Sequence, residues 1–97
     1  MADIDVQRQP DQSRFYTLVN GWEGELVYQQ NGNVITFLHT LVADELEGQG
    51  VGSSLARAGL DYARREGLRV VPMCPFVRSY IERHREYADL VNPPRRS

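Results

Sequence analysis

Three glycines separated by single residues, Gly48, Gly50 and Gly52, form the stretch whose spacing most directly suggests chemistry. Glycine has no Cβ, so the backbone N–H groups around it stay accessible. The residues that follow read as the first turn of a helix, where free N–H groups and the positive end of the helix dipole attract anions. The stretch therefore suggests a phosphate-binding loop, and a flexible turn that starts a helix is the alternative.

Three side chains elsewhere are of types that take part in acid–base or nucleophilic reactions. Cys74 precedes a predicted helix, a position at which thiols are often reactive, and a buried core cysteine is the alternative. His39 is a candidate base on a predicted strand, and a hydrogen-bonded core histidine is the alternative. Tyr80 lies in an apolar helical stripe, so plain packing is its alternative. One cysteine and two histidines show no metal-ligand spacing, so the sequence predicts no metal site.

Length and composition predict one globular domain. The 97 residues are 41% hydrophobic and 25% charged, which fits a single core over residues 1–97, with 1–12 and 92–97 expected to be flexible tails. The net charge of −2 argues against nucleic-acid binding. No apolar stretch approaches the roughly 18 residues of a membrane span, and a lone cysteine indicates a reducing compartment. We expect a cytoplasmic protein, a monomer or weak dimer, that binds neither nucleic acid nor membranes.

The first half of the chain reads as three strands, over residues 14–19, 22–29 and 34–42. Asn20-Gly21 joins the first two as a tight hairpin turn, because both residues tolerate positive φ. The three strands read as an antiparallel meander. The third strand is apolar on both faces, which predicts a central strand covered on both sides.

The second half reads as helix, strand, helix. Five residues at helical spacing mark the buried face of the first helix, which ends at Gly67: Val51, Leu55, Ala58, Gly59 and Tyr62. Residues 68–71 form a short strand, and Pro75 begins a second helix. The crossover makes strand 68–71 parallel to strand 34–42. The predicted fold is therefore α/β (α+β), a mixed sheet with two main helices and the glycine loop at the carboxyl end of the third strand.

The segment from residue 39 to 91 resembles the small single-domain branch of the GNAT (Gcn5-related) superfamily of N-acetyltransferases. Glu47, Gly50 and Gly52 stand at the three defining positions of the superfamily pattern Q/R-x-x-G-x-G/A. The preceding "HT" and the later "VVPMCPFVRSYI" make the match specific to this branch. Glu47 departs from the usual Gln or Arg, and since a carboxylate repels phosphate, the backbone is left to bind it.

The resemblance implies a minimal GNAT fold that takes acetyl-coenzyme A as cosubstrate. The pantetheine arm would run between strands 34–42 and 68–71, held by backbone groups of Leu41 and Val42. The pyrophosphate would lie in the glycine loop, whose residues are Glu47, Gly48, Gln49, Gly50, Val51, Gly52 and Ser53.

The resemblance also implies roles for the reactive side chains. Cys74 occupies a position considered catalytic in this branch, and Tyr80 resembles the tyrosine that protonates the leaving thiolate. Leu41 stands where an acid is often found, so a carboxylate base is missing there, and Glu23 or Glu25 is the alternative, unless these are simply solvated. Three basic side chains are candidates for the 3′-phosphate or belong to a solvated helix face: Arg78, Arg83 and His84.

Two functions stay open at this point. The first is an N-acetyltransferase that moves the acetyl group of acetyl-coenzyme A to an amine of unknown identity, on a small molecule or a protein. The second is a non-catalytic acyl-coenzyme A binding module. Nucleotide hydrolysis at a P-loop is excluded, because that motif needs a lysine after the glycines and the sequence contains none.

Overall fold

The computed structural model describes residues 4–91 of the chain. These residues form one five-stranded mixed sheet with two α-helices packed on one of its faces. Three short 3-10 helices, Pro10–Gln12, Asp44–Leu46 and Arg85–Leu90, connect the main elements. The main elements, in chain order, are β1 (Gln7–Gln9), β2 (Arg14–Val19), β3 (Trp22–Asn31), β4 (Val34–Val42), α1 (Val51–Arg65), β5 (Arg69–Pro72) and α2 (Pro75–Arg83).

The sheet follows the predicted topology. Strands β1 to β4 are antiparallel neighbours, and β5 pairs with β4 in parallel. Asn20 and Gly21, at φ 52° and 83°, form the predicted two-residue hairpin turn between β2 and β3. The structure therefore confirms the α+β class, the antiparallel meander and the two main helices. It also confirms that the strand predicted over residues 68–71, which is β5, runs parallel to β4.

The expectation of a flexible tail over residues 1–12 is wrong for its second half. Gln7–Gln9 forms β1 and pairs with β2, and the hydroxyl of Thr17 donates a 2.7 Å hydrogen bond to the carbonyl oxygen of Asp5. Ile4 and Val6 pack against the core. These two apolar side chains and the free edge of β2 explain why the segment joins the sheet. Residues 1–3, and the second predicted tail at 92–97, lie outside the described residues.

The expectation that β4 is covered on both sides is also wrong. Ile35 and Phe37 are fully buried under the helices, whereas Leu38, His39 and Leu41 are exposed. The register against β3 shifts between Val27 and Tyr28, so one extra residue of β4 forms a bulge near Leu38. The bulge shifts the inward-facing positions from odd numbers, Ile35 and Phe37, to even numbers, such as Val42. Apolar residues therefore occur at both odd and even positions although only one face of the strand is buried.

Helix α1 ends as predicted, at a glycine. Gly67 has φ 70°, and Leu68 donates a 2.8 Å backbone hydrogen bond to the carbonyl oxygen of Ala63. Together with the bond from Gly67 to Arg64, this forms a Schellman cap. Because Leu68 belongs to the cap, β5 begins one residue later than predicted, at Arg69.

Gly59 lies where α1 crosses the sheet. A Cβ at this position would be 2.8 Å from Cε1 of Phe37 and 3.1 Å from Cδ2 of Leu26, and both of these side chains are fully buried. The helix therefore approaches β3 and β4 more closely than any larger residue at position 59 would permit. None of the helices within residues 4–91 is both long enough and apolar enough to cross a membrane.

We predict that Gly59→Ala lowers the free energy of unfolding by about 1–3 kcal/mol, because the added methyl group overpacks the core. This sign is the opposite of the helix-propensity effect, which favours alanine over glycine. Urea denaturation followed by circular dichroism measures the change. Ser54→Ala, in the same helix, is the control and should change stability by no more than about 0.5 kcal/mol. A stabilised Gly59→Ala protein would contradict the close packing.

Candidate functional site

A cleft of ≈ 340 Å³ lies between the end of β4, the glycine loop and the starts of both helices. The residues that line it are Thr40, Val42, Leu46, Glu47, Gly48, Gly50, Val51, Gly52, Ser53 and Phe76. The glycine motif, the carboxyl end of β4 and the beginning of α2 thus meet at one site.

The cleft exists because β4 and β5 separate. Their last paired residues are Phe37 and Pro72, and β4 continues to Val42 with no strand of residues 4–91 on that side. Proline has no N–H to continue the ladder, and the chain turns away into α2 after Cys74 donates a 2.9 Å backbone bond to the carbonyl oxygen of Phe37. The edge of β4 from residue 38 to 42 is therefore left for another extended chain.

Gly48 and Gly50 give the loop its shape. They have φ 84° and 78°, a conformation that L side chains rarely adopt, and a Cβ at either position would meet nothing within 4 Å. Neither glycine is required by packing against the protein. Both are required by backbone conformation, and their Cα atoms border open space.

The beginning of α1 attracts anions. Gly50 is the N-cap residue, no side chain among the described residues caps the helix, and its first turn carries no acidic residue. The N–H groups of Val51, Gly52 and Ser53 precede the first intrahelical bond, which Ser54 donates to the carbonyl oxygen of Gly50 at 3.0 Å. Three free donors and the positive end of the helix dipole therefore meet at the cleft.

Gly52 has a different role from the other two glycines. A Cβ here would be 2.9 Å from Cζ of Phe76, whose ring forms part of the cleft wall. The absence of a side chain at Gly52 lets this ring lie against the first turn of α1. The contact between the two helices is thus one reason for a small residue at this position, and the predicted role of Gly52 in binding a phosphate stays a prediction.

All of the predicted loop residues except Gln49 line the cleft. Glu47, Val51 and Ser53 are among the lining residues, whereas Gln49 turns back and donates to the backbone of Leu46 and Glu45. The Leu41 side chain is 59% exposed and lies on the sheet face opposite the helices. The predicted role of its backbone in holding a ligand stays a prediction.

Cys74 lies behind the cleft. It is the N-cap of α2, it is buried, and its Sγ lies 3.2 Å from Oγ1 of Thr40, which lines the cleft. The thiol does not itself line the cleft. This arrangement favours the buried core cysteine over an attacking nucleophile.

Tyr80 packs between the helices and away from the cleft. It is buried, and its ring stacks on His84 with 4.0 Å between centroids. Burial raises the pKa of Tyr80 above its ordinary value, and this effect is larger than the influence of nearby Arg57. The three basic residues suggested for a 3′-phosphate hydrogen-bond to backbone carbonyl oxygens, Arg78 to Met73, Arg83 to Ser79 and His84 to Tyr80, and their role toward a phosphate stays a prediction.

His39 lies on the opposite face of the sheet from Cys74. It is exposed and pairs with Val27 of β3, on the face opposite the two α-helices. The structure therefore does not bring the three predicted catalytic side chains, Cys74, Tyr80 and His39, together at one point.

Sequence reasoning missed three residues of the cleft, namely Thr40, Leu46 and Phe76. Thr40 precedes Val42 by two residues and so shares its face of β4, a signal that alternation alone would have given. Phe76 lies near the start of α2, and an apolar residue at the beginning of a helix gives no signal by itself that it is 36% exposed at a cleft.

Comparison with known proteins decides the family. The sequence profile of the GCN5-related N-acetyltransferase family matches residues 14–90, which include β2 to β5, both α-helices and the whole cleft. The chain belongs to this family.

Individual relatives agree with the family assignment. Protein NATD1 from Gallus gallus and from Homo sapiens are each 28% identical to the chain over 82 residues, covering 81% of it and 74% and 73% of the relatives. A solution NMR structure from Staphylococcus aureus, described as GCN5-like, superposes with a TM-score of 0.70 at 30% identity, over 94% of this chain and 90% of that one. The GNAT fold predicted from the motif is confirmed.

We predict that iodoacetamide labels Cys74 slowly in the folded protein, on the order of tenfold or more slower than in denaturant, because the thiol is buried. Intact mass spectrometry over time gives both rates, and the denatured chain serves as the internal control. Rapid labelling of the native protein would show that the thiol is accessible, and Cys74 would again be a candidate nucleophile.

Proposed function

We propose that the chain is an N-acetyltransferase that uses acetyl-coenzyme A and transfers the acetyl group to an amine. Membership of the GCN5-related family supports acyl transfer as the reaction class. The observation that carries the proposal is the juxtaposition, in one cleft, of an unpaired edge of β4 and an uncapped helix N-terminus preceded by two open glycines.

The residues of the cleft fit the pyrophosphate of the coenzyme. The N–H groups of Val51, Gly52 and Ser53 would donate to its oxygens, and the positive φ of Gly50 sets the loop conformation that leads into them. No arginine within residues 4–91 lines the cleft, and Glu47 adds a negative charge to its lining. Backbone donors and the helix dipole therefore attract the pyrophosphate. Its binding depends more on the conformation of the loop than on any single side chain.

The edge of β4 fits the amide-containing arm of the coenzyme. Residues 38–42 present backbone groups that β5 does not pair with, and an extended ligand can hydrogen-bond there as an added strand. Thr40 and Val42 face the cleft and would flank the arm. Phe76 closes the opposite wall, held against Gly52.

The coenzyme supplies an activated acetyl group in thioester linkage. The acceptor nitrogen would form the C–N bond as the C–S bond breaks, with the nitrogen losing one proton and the departing sulfur gaining one. A backbone N–H at the edge of β4 can stabilise negative charge that develops on the carbonyl oxygen. The hydroxyl of Thr40, which lines the cleft, is better placed than Tyr80 to hydrogen-bond the departing sulfur.

One observation favours the second candidate, a module that binds acyl-coenzyme A without transferring the acyl group. None of the three predicted catalytic side chains lines the cleft. Turnover decides between the two candidates: release of free coenzyme A thiol from acetyl-coenzyme A in the presence of a panel of primary amines supports the enzyme. Tight coenzyme binding without amine-dependent thiol release supports the module.

We predict that Gly50→Ala loses coenzyme A binding, because alanine disfavours φ 78° and the loop that leads into the α1 donors would change shape. In the wild-type protein, coenzyme A at about a hundred times its Kd should add about 2.7 kcal/mol to stability, visible as a rise in Tm. The variant should show little of this rise.

Gly32→Ala is the matched control for this prediction. Gly32 also has positive φ, 57°, and open space around it, but lies in the turn between β3 and β4. Both substitutions should cost similar stability, about 1–2 kcal/mol, and only Gly50→Ala should lose the ligand-induced rise. Equal rises in the two variants would show that the glycine loop is only a turn.

A further inference from the structure

A second cavity lies on the sheet face opposite the two α-helices, which we call the open face because no helix of the described residues covers it. Its volume is ≈ 310 Å³, and its lining residues are Arg14, Glu23, Gly24, Glu25, Leu41, Val42 and Ala43. It combines the end of β4, the start of β3 and one side chain of β2. Of its lining residues, only Val42 also lines the coenzyme cleft.

This cavity is separated from the coenzyme cleft by the thickness of β4. Leu41 pairs with Glu25 across the β3–β4 ladder, so both side chains lie on the open face. Val42 lines both cavities. A molecule in the second cavity is therefore one strand away from the edge of β4 at which the acyl group would be held.

The charges of the cavity are arranged so that one carboxylate is neutralised and the other is not. Arg14 and Glu25 form an ion pair at 2.8 Å with both side chains three-quarters buried. Arg14 is itself held by a 2.7 Å bond to Gln9 and lies over the ring of Tyr16. Glu23 forms no ion pair among the described residues. The cavity thus carries one net negative charge next to the apolar wall of Leu41, Val42 and Ala43.

We propose that this cavity binds the acetyl acceptor, and that the acceptor is an aliphatic amine with a second positively charged group. One ammonium group lies at Glu23, the methylene chain lies along Leu41, and the reactive amine extends to the edge of β4. The proposal rests on the proposed acetyltransferase function. It adds the class of substrate: a diamine or polyamine in preference to a monoamine of the same length.

Kinetics with two matched acceptors test the substrate class. With saturating acetyl-coenzyme A, 1,4-diaminobutane should have a lower KM than butylamine, and added salt should raise the KM of the diamine more. Glu23→Gln should raise the KM of the diamine by about three- to tenfold and leave that of butylamine nearly unchanged. Arg14→Gln frees the Glu25 carboxylate, so it should lower the KM of the diamine, and circular dichroism checks that the variant folds.

The control is Glu82→Gln, which removes an exposed carboxylate of α2 outside this cavity. It should change neither the KM of the diamine nor the KM of butylamine. The thermal shift with coenzyme A should be the same in all three variants. If coenzyme A does not bind the wild-type protein, the proposed function fails. If it binds and both amines react with equal KM, unaffected by Glu23→Gln, the substrate class fails while the proposed function stands.

Direct binding tests the site even without turnover. Titration of ¹⁵N-labelled protein with 1,4-diaminobutane should shift the amide signals of Glu23, Glu25 and Leu41, and Glu23→Gln should weaken that binding by a similar factor. Absence of these shifts at millimolar diamine would overturn the proposal.

Discussion

The separation of β4 from β5 after the pair Phe37–Pro72 is the constraint on which the rest of the site depends. Up to that pair the two strands close the sheet over the core, and beyond it β4 continues alone to Val42. A proline at the last position of β5 and another at the start of α2 fix the point of departure. This separation leaves the edge of β4 free. It also leaves a cleft there, which the N-terminus of α1 and the beginning of α2 border.

Close packing of the two helices keeps this geometry in place. Gly59 lets α1 approach Phe37, and Gly52 lets the ring of Phe76 lie against the first turn of α1. Two of the glycines in α1 therefore serve packing, whereas Gly48 and Gly50 serve the backbone conformation of the loop. The sheet separates the two parts of the proposed reaction, with the coenzyme cleft on the helix side and the charged cavity of Glu23 and Glu25 on the open face.

Local signals in the sequence predicted most of the fold. The turn at Asn20-Gly21, the cap at Gly67 and the start of α2 at Pro75 depend on residues adjacent in the chain, and each was located correctly. The bulge near Leu38 and the pairing of β1 depend on strand partners distant in sequence, so no local pattern marked them. The glycine loop was recognisable because its motif is contiguous. The positions of His39 and Tyr80 relative to the cleft depend on that bulge and on packing between helices.

We propose that the cleft between the edge of β4 and the start of α1 binds coenzyme A through backbone groups. Titration of ¹⁵N-labelled protein with coenzyme A, followed by amide chemical shifts, tests this binding most directly. We expect the largest shifts at Gly48, Gly50, Val51, Gly52 and Ser53, with further shifts along residues 38–42. Shifts confined to other parts of the chain, or none at millimolar coenzyme A, would contradict it.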